Sequence, residues 1–328
     1  MPRTSKLSLP LLLMSFAILA APLAPRAIFA QQGAQQGQQR SDDFKITRDV
    51  NLVVLHATVL DQQGRFVPDL KQEHFRVLED RVEQKLTLFA REDIPVSVGL
   101  VIDNSGSMRN KRQRVNAAAL TFVDGSNRDD EVFVVNFNDD YFLDLDKDFT
   151  NEIPELKEAL ERIDSRGSTA LYDALIGSLD HLKKGKKDKK VLLVVTDGED
   201  NASRKTLDQT MQEAQQSDAV IYAIGLLENE SRRTRNRVRR ALNNLTEATG
   251  GLAFYPEDVQ DVEEICKQIA HDIRNQYTLA YKPSNAARDG SFRRVQVEFN
   301  NLPRNKGKLT VRTRTGYFAK SGSSGTDD

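Results

Sequence analysis

The sequence has no tryptophan, and aromatic residues make up only 7% of it. Proteins that hold single-stranded nucleic acid stack the bases on aromatic side chains, so this composition argues against such a platform. An excess of charge of one sign is also lacking, because 47 Lys and Arg residues stand against 48 Asp and Glu residues. A balanced chain has no overall electrostatic attraction to nucleic acid or to an anionic membrane. We therefore expect no nucleic-acid partner.

Cysteine is nearly absent, since Cys266 is the one cysteine in 328 residues. One cysteine forms no internal disulfide, and it excludes a zinc site built on several thiolates. Apolar residues recur around it at helical spacing, at Val262, Ile265, Ile269 and Ile273. This pattern predicts that Cys266 is a buried apolar residue of a helix rather than a reactive thiol.

The sequence also lacks the short motifs of several enzyme classes. It contains no G-x-S-x-G, H-E-x-x-H or G-x-x-x-x-G-K-[ST] pattern, which mark serine hydrolases, zinc proteases and nucleotide hydrolases. The four histidines show no spacing that would pair them, at His56, His74, His181 and His271. We therefore expect no catalytic residues and a protein that is not an enzyme.

The first thirty residues differ from the rest of the chain. Arg3 and Lys6 precede an apolar stretch from Leu7 to Ala21, and small residues lead to Ala30, which is the layout of a secretory signal. The apolar stretch is shorter than the roughly 20 residues that a spanning helix needs, although a retained anchor stays open as an alternative. We predict a signal peptide at 1–30 and an exported protein, periplasmic, cell-surface or secreted, that does not span the membrane after cleavage.

Two further segments have nothing to bury. Residues 31–47 are rich in glutamine and glycine, which predicts a flexible linker. Residues 320–328 are rich in glycine, serine and aspartate, and we expect a disordered tail there.

Both flanks of the remaining chain alternate apolar and polar residues with period two. Residues 48–94 contain "VNLVVLHATVLD" and "HFRVLEDRVEQKLTLFA", and residues 276–319 contain "YTLAYKPSN", "FRRVQVEFNNLP" and "KLTVRTRTGYFA". Such alternation predicts half-buried antiparallel strands. Isolated hairpins are only marginally stable in water, so we predict that the two flanks fold together as one β-sandwich-like domain.

The middle of the chain, residues 95–275, alternates strands with helices. The runs "VSVGLVI", "EVFVVNF", "KVLLVVT" and "AVIYAIGL" are continuous and apolar, as strands buried on both faces are, and amphipathic helices lie between them. This alternation predicts an α/β fold with a doubly wound, mostly parallel, Rossmann-like sheet, inserted in the smaller β domain of the flanks. The stretch "DYFLDLDKDF" follows the second run after a short turn and predicts an antiparallel edge strand.

Polar side chains follow two of the predicted strands and precede one helix. Asp103, Ser105 and Ser107 come at the end of the first strand, Asp197 follows the strand "KVLLVVT", and Thr169 lies in a glycine-containing loop before a helix. Ligands of such sheets bind outside the carboxyl ends of the strands, so we expect these five side chains to converge there. Hydroxyl and carboxylate oxygens are hard ligands, which suit Mg²⁺ or Mn²⁺ better than zinc or copper.

The order "DNSGS", then a threonine before a helix, then "TDG" resembles the metal-ion-dependent adhesion site of von Willebrand factor type A domains. The resemblance covers roughly residues 95–275. The flanking segments are similar to those of bacterial exported proteins with a related domain, a type often met in acidobacteria. This looser similarity implies no established activity.

The resemblance implies a function as well as a fold. By similarity, Ser105, Ser107 and Thr169 coordinate the cation directly or through water, and Asp103 and Asp197 hold bound waters or the ion itself. The cation would be Mg²⁺ or Mn²⁺, with Ca²⁺ possible. It would capture an Asp or Glu side chain of an unidentified protein partner. A metal-dependent hydrolase acting on an envelope substrate stays open as the alternative.

Other charged residues receive plainer interpretations. Glu199, Asp200 and Asn201 lie just beyond Asp197 and are interpreted as surface residues. Two basic runs, at 182–190 and 232–240, are interpreted as solvated faces, since the total charge of the chain is balanced. Docking of an acidic partner or a phosphate-bearing envelope polymer stays open as the alternative for the run at 232–240.

Overall fold

The computed structural model of the chain describes residues 52–91, 93–162, 164–303 and 306–319. The predicted signal peptide at 1–30, the linker at 31–47 and the tail at 320–328 lie outside the described residues. In the described ranges, none of the helices is both long enough and apolar enough to cross a bilayer.

A six-stranded sheet forms the centre of the molecule. Its strands, in chain order, are β5 Val96–Asp103, β6 Glu131–Phe137, β7 Tyr141–Leu143, β8 Lys189–Thr196, β9 Ala219–Gly225 and β10 Ala253–Phe254. Their spatial order is β10-β9-β8-β5-β6-β7, and every neighbouring pair is parallel except β6 and β7. The edge strand β7 thus has the predicted antiparallel direction.

Six helices cover the two faces of this sheet. They are α1 Arg112–Asp124, α2 Ile153–Glu161, α3 Leu171–Leu182, α4 Leu207–Gln216, α5 Arg232–Thr249 and α6 Val262–Arg274. Phe122 of α1, Leu156 of α2 and Ile269 of α6 pack in the core on one face. Leu175 of α3 and Leu242 of α5 pack in the core on the other. The predicted doubly wound α/β fold is confirmed.

The predicted role of Cys266 agrees with its position in this core. Its side chain lies on α6 in the same cluster as Val262 and Ile269, and it is 1% exposed. Burial raises the pKa of the thiol to about 12. A thiol with this pKa is protonated at neutral pH and is therefore a poor nucleophile.

The flanks pair with one another in two four-stranded antiparallel sheets. Their strands are β1 Val53–Leu60, β2 Phe75–Glu79, β3 Val82–Gln84, β4 Leu86–Ala90, β11 Tyr277–Tyr281, β12 Phe292–Phe299, β13 Thr310–Arg312 and β14 Gly316–Phe318. The sheets have the orders β13-β1-β11-β4 and β14-β12-β2-β3, so each mixes strands from before and after the central sheet. Leu55, Val77, Leu279 and Val295 share one core between them. The expected sandwich of both flanks is confirmed.

Buried polar contacts join the sandwich to the central sheet. Gln276 connects α6 to β11, and its Nε2 donates hydrogen bonds to Thr58 Oγ1 on β1 at 3.0 Å and to Tyr222 Oη on β9 at 3.1 Å. Arg312 on β13 forms an ion pair of 3.1 Å with Asp272 on α6. Because these groups are shielded from water, the contacts fix the two parts against each other more firmly than exposed pairs would.

One residue of the basic run at 182–190 is not solvated. Lys189 begins β8 and is 3% exposed, and its Nζ donates a hydrogen bond to the carbonyl oxygen of Ile273. Burial lowers the pKa of Lys189 to about 7, although the nearby carboxylates Asp93, Asp130 and Asp272 act in the opposite direction. The interpretation of this run as a solvated face is therefore wrong at Lys189.

Lys189 should make stability depend on pH. An unfolded lysine keeps its proton up to a pKa of about 10.5, whereas folded Lys189 loses it above about 7. The unfolded state therefore binds more protons between these values, and the free energy of unfolding should rise with pH across that window, by about 1.4 kcal/mol per pKa unit at most. Urea denaturation at pH 7 and pH 9 should show this rise in the wild type and lose most of it in Lys189→Met. The exposed Lys186→Met serves as the control, and an equal pH dependence in all three proteins would contradict the assignment.

Candidate metal site

Asp103 lies at the base of the candidate site, at the carboxyl end of β5. Its Oδ1 accepts a hydrogen bond from the Ser105 backbone N–H at 2.8 Å, and its Oδ2 accepts one from Thr196 Oγ1 at 2.6 Å. The side chain is fully buried. Desolvation raises the pKa of Asp103 to about 6, and repulsion from Asp197 acts in the same direction. A nearby cation would favour the charged carboxylate.

The two serines link this loop to the end of β8. Ser105 Oγ and Ser107 Oγ are 3.2 Å apart, and Ser107 Oγ donates a hydrogen bond of 2.7 Å to Asp197 Oδ1. Asp197 follows the last residue of β8 and is 2% exposed, whereas Ser107 is exposed. Four of the five predicted residues therefore form a continuous hydrogen-bonded chain from the base of the site to its surface.

Thr169 reaches the same place from the loop before α3. The backbone of Gly106 donates a hydrogen bond of 3.1 Å to the carbonyl oxygen of Gly167, which joins this loop to the serine loop. A Cβ added to Gly198, the residue after Asp197, would lie 3.7 Å from Thr169 Oγ1. All five predicted residues are therefore brought together, although among the described residues the Thr169 side chain forms no hydrogen bond with the other four.

The residues beyond Asp197 hold the threonine loop, a role that the sequence analysis missed. Asn201 Oδ1 accepts a hydrogen bond of 2.8 Å from the Thr169 backbone N–H. Asp200 Oδ2 accepts one of 3.0 Å from the Tyr172 backbone N–H at the start of α3. Asn201 is exposed, as expected of a surface residue, but its side chain also holds Thr169, and the half-buried Asp200 holds the start of α3. Glu199 forms an ion pair of 2.6 Å with Arg237.

Lys111, which the sequence analysis also missed, binds the second aspartate. Its Nζ donates hydrogen bonds to Asp197 Oδ2 at 2.9 Å and to the Leu226 carbonyl oxygen at 3.3 Å. The side chains of Lys111 and Asp197 are 10% and 1% exposed, and Glu228 Oε1 lies 3.7 Å from the ammonium. No clear signal for this pair exists in the sequence, because Lys111 follows a short 3-10 helix at Gly106–Asn110 and reaches Asp197 only through the tertiary structure.

The donor set fits a hard dication. Neighbouring ligands of an octahedral Mg²⁺, each about 2.1 Å from the ion, lie about 3 Å apart. The separations of 3.2 Å between Ser105 Oγ and Ser107 Oγ and of 2.7 Å between Ser107 Oγ and Asp197 Oδ1 match this spacing. Clusters of three or more His, Cys, Asp or Glu side chains fit to hold a metal are absent from the described residues. A metal site here would depend on hydroxyl oxygens, which bind hard cations such as Mg²⁺ and Mn²⁺ better than they bind soft metals.

The buried Lys111–Asp197 pair yields a test that needs no cation. In Lys111→Met, Asp197 keeps its buried charge without a counter-ion, so the free energy of unfolding in EDTA should fall by about 3–5 kcal/mol. The double variant Lys111→Met/Asp197→Asn carries no charge there and should recover most of the loss. Urea denaturation measures both effects.

An exposed pair provides the control for this test. Lys147 and Glu155 are 2.8 Å apart with side chains 52% and 44% exposed. Lys147→Met should therefore cost less than about 1 kcal/mol. A cost of Lys111→Met no larger than that of Lys147→Met would show that the buried pair does not hold Asp197.

Comparison with known proteins places this arrangement in a family. The von Willebrand factor type A domain family matches residues 97–268, which is more than half of the chain. An uncharacterised protein of Synechocystis is 30% identical over 108 residues, which cover 32% of this chain and 26% of that protein. The match thus spans about a quarter of the length of that relative.

Several solved structures are similar at low sequence identity. A von Willebrand factor type A protein from Catenulispora acidiphila is 13% identical, with a TM-score of 0.49, and the match covers 84% of this chain and 74% of that chain. The PilB minor pilin from Streptococcus sanguinis is 13% identical, with a TM-score of 0.45 and coverage of 56% and 62%. On the family match across the central sheet and its helices, the chain belongs to the von Willebrand factor type A domain family.

Proposed function

We propose that this protein is an exported binding module that captures an acidic side chain of a protein partner through a divalent cation. The cation is Mg²⁺ or Mn²⁺, with Ca²⁺ as the alternative, and its ligands are Asp103, Ser105, Ser107, Thr169 and Asp197. When bound, the cation supplies a Lewis-acidic centre for one more oxygen ligand. The chain itself supplies the frame that holds these side chains together.

The observation that carries this proposal is the way burial changes across the site. Asp103 and Asp197 are 0% and 2% exposed, whereas Ser107, hydrogen-bonded to Asp197, is exposed. Buried carboxylates attract a cation strongly because little water screens them. An exposed hydroxyl on the outer side leaves the approach from solvent open to a partner.

The charges of the site favour an acidic partner group. Asp103 and Asp197 contribute two negative charges, and Lys111 contributes a positive charge 2.9 Å from Asp197. Glu228 Oε1 lies 3.7 Å from the same ammonium but is not among the proposed ligands. The ligands themselves are three neutral hydroxyls and two carboxylates, one of them paired with Lys111, so a dication there still attracts a charged oxygen. A carboxylate of the partner would supply it, and charge-assisted contacts of this kind are stronger than those to neutral oxygens.

Binding is favoured over hydrolysis on two grounds. Domains of the family commonly mediate protein–protein adhesion. A hydrolase needs a base near its nucleophile, and in the described part of the chain the histidines have other contacts: His74 with Lys71, His181 with Asp148, His56 with Thr278 and His271 with Phe66. Export rests on the signal-like first thirty residues alone.

Cation binding should stabilise the folded protein. A ligand at 100 times its dissociation constant adds about 2.7 kcal/mol to the free energy of unfolding, because it binds the native state only. Thermal denaturation with Mg²⁺, Mn²⁺ or Ca²⁺ against EDTA should therefore show a rise in Tm for the wild type. Ser107→Ala should lose most of this rise, since it removes one oxygen ligand.

A second serine gives the matched control. Ser126 follows α1 near the opposite edge of the sheet, where its Oγ donates a hydrogen bond to the Phe122 carbonyl oxygen. Ser126→Ala should keep the full cation-dependent rise in Tm. If Ser107→Ala responds to cations as Ser126→Ala does, the proposed site is not where the cation binds.

A further inference from the structure

A groove of about 980 Å³ lies directly beside the candidate metal site. It runs along the start of α1 and the end of α2, and among its lining residues are Arg109, Arg112, Asn116, Lys157, Ser165 and Arg166. Its volume is at the upper end of the roughly 300–1,000 Å³ of typical ligand sites. The groove is therefore large enough for several residues of an extended polypeptide.

The groove is more basic than the rest of the chain. Arg109, Lys157 and Arg166 are exposed, and Arg112, half-buried, donates a hydrogen bond of 2.8 Å to the Leu160 carbonyl oxygen. Four basic residues line the groove against two acidic ones, Glu161 and Asp164. The whole chain has a net charge of −1, so this is a local concentration of positive charge. Such a surface attracts a negatively charged partner.

Two buried polar atoms in the groove wall have no partner among the described residues. Asn116 Oδ1 and Ser165 Oγ form no hydrogen bond, although both residues are only 8% exposed. The amide of Asn116 is oriented by its Nδ2, which donates to the Leu160 carbonyl oxygen at 3.1 Å. Both oxygen atoms are shielded from solvent, so a ligand in the groove does not reach them, and its recognition depends on the exposed basic residues.

The groove is continuous with the metal site through the backbone. Arg109 follows Ser107 by two residues, Arg166 precedes Thr169 by three, and an Arg109 Nη2 hydrogen bond of 3.4 Å to the Ser165 carbonyl oxygen closes the gap between their loops. A single ligand that reaches the cation therefore passes the mouth of the groove.

We infer that this groove binds an acidic polypeptide segment of the partner, next to the carboxylate that the cation captures. The inference rests on the proposed function for the identity of the partner, but the groove itself needs no cation. Side-chain carboxylates of the segment pair with the exposed guanidinium groups of Arg109 and Arg166. A polyphosphate would pair with the arginines but has no apolar groups to pack on Ala117 and Leu120, which also line the groove, so the acidic polypeptide is the better fit.

The test uses a fluorescein-labelled decaglutamate peptide and the full chain. Wild-type protein should bind it tightly with Mg²⁺ and more weakly, with a strong salt dependence, in EDTA. Arg109→Gln/Arg166→Gln should weaken binding about tenfold in both conditions, because it removes two charges that pair with the peptide. Arg128→Gln/Arg233→Gln removes two exposed arginines elsewhere and should bind as the wild type does. Affinity for Mn²⁺ alone, measured by calorimetry, should not be weakened in either double variant.

A competition experiment separates a polypeptide from a polyphosphate. Unlabelled decaglutamate should displace the labelled peptide from the wild type at a lower concentration than inorganic polyphosphate does, because only the peptide also packs on the apolar residues of the groove. Tighter binding of polyphosphate than of decaglutamate would overturn the assignment to an acidic polypeptide.

The outcomes for groove and cation are distinct. If Arg109→Gln/Arg166→Gln binds the peptide as the wild type does, the groove is not its binding surface, whatever the cation does. If Mg²⁺ leaves wild-type binding unchanged while the arginine variant still weakens it in EDTA, the cation proposal fails and the groove stands.

Discussion

The parallel pairing of β5 with β8 is the constraint on which the candidate site depends. Ile102 lies opposite Val195, so the next residues, Asp103 and Thr196, meet in a hydrogen bond of 2.6 Å. A slip of one residue would turn Asp103 to the other face of the sheet, and no loop could restore the contact. The apolar runs that form both strands therefore decide the geometry of the polar residues that follow them. The positions of the side chains in the candidate site therefore follow from the packing of the core strands.

A site with two buried carboxylates must also be stable before any cation arrives. Lys111 meets this need, because its ammonium lies 2.9 Å from Asp197 Oδ2 while Ser107 Oγ donates to Asp197 Oδ1. Burial raises the pKa of Asp103 to about 6, so part of the Asp103 side chains are protonated and uncharged in mildly acidic conditions. The ammonium of Lys111 thus neutralises Asp197 at Oδ2, while Asp197 Oδ1 faces the serine hydroxyls. In the neighbouring groove basic residues outnumber acidic ones, which is the basis of the proposal that it binds an acidic segment.

The fold and the convergence of the five side chains could be predicted because they follow from local patterns, whereas their role as metal ligands stays a prediction. Continuous apolar runs indicate strands buried on both faces, and Asp103 and Asp197 follow such runs directly. The burial of Lys189 and the contacts of Asn201 and Asp200 could not be predicted because they depend on tertiary structure: Lys189 donates to a carbonyl at the end of α6, and the other two accept from backbone N–H groups near the start of α3. The sequence shows that a residue is charged but not which groups surround it in the folded protein. The roles of the first thirty residues stay predictions.

The central claim is that five oxygen-bearing side chains hold a hard dication at the carboxyl edge of the sheet. Anomalous X-ray scattering from crystals soaked in Mn²⁺ tests it most directly. The account predicts one strong anomalous peak about 2.2 Å from Ser105 Oγ and Ser107 Oγ, with Lys111 still paired to Asp197. A peak elsewhere on the chain, with no density between the serines and Asp197, would contradict it.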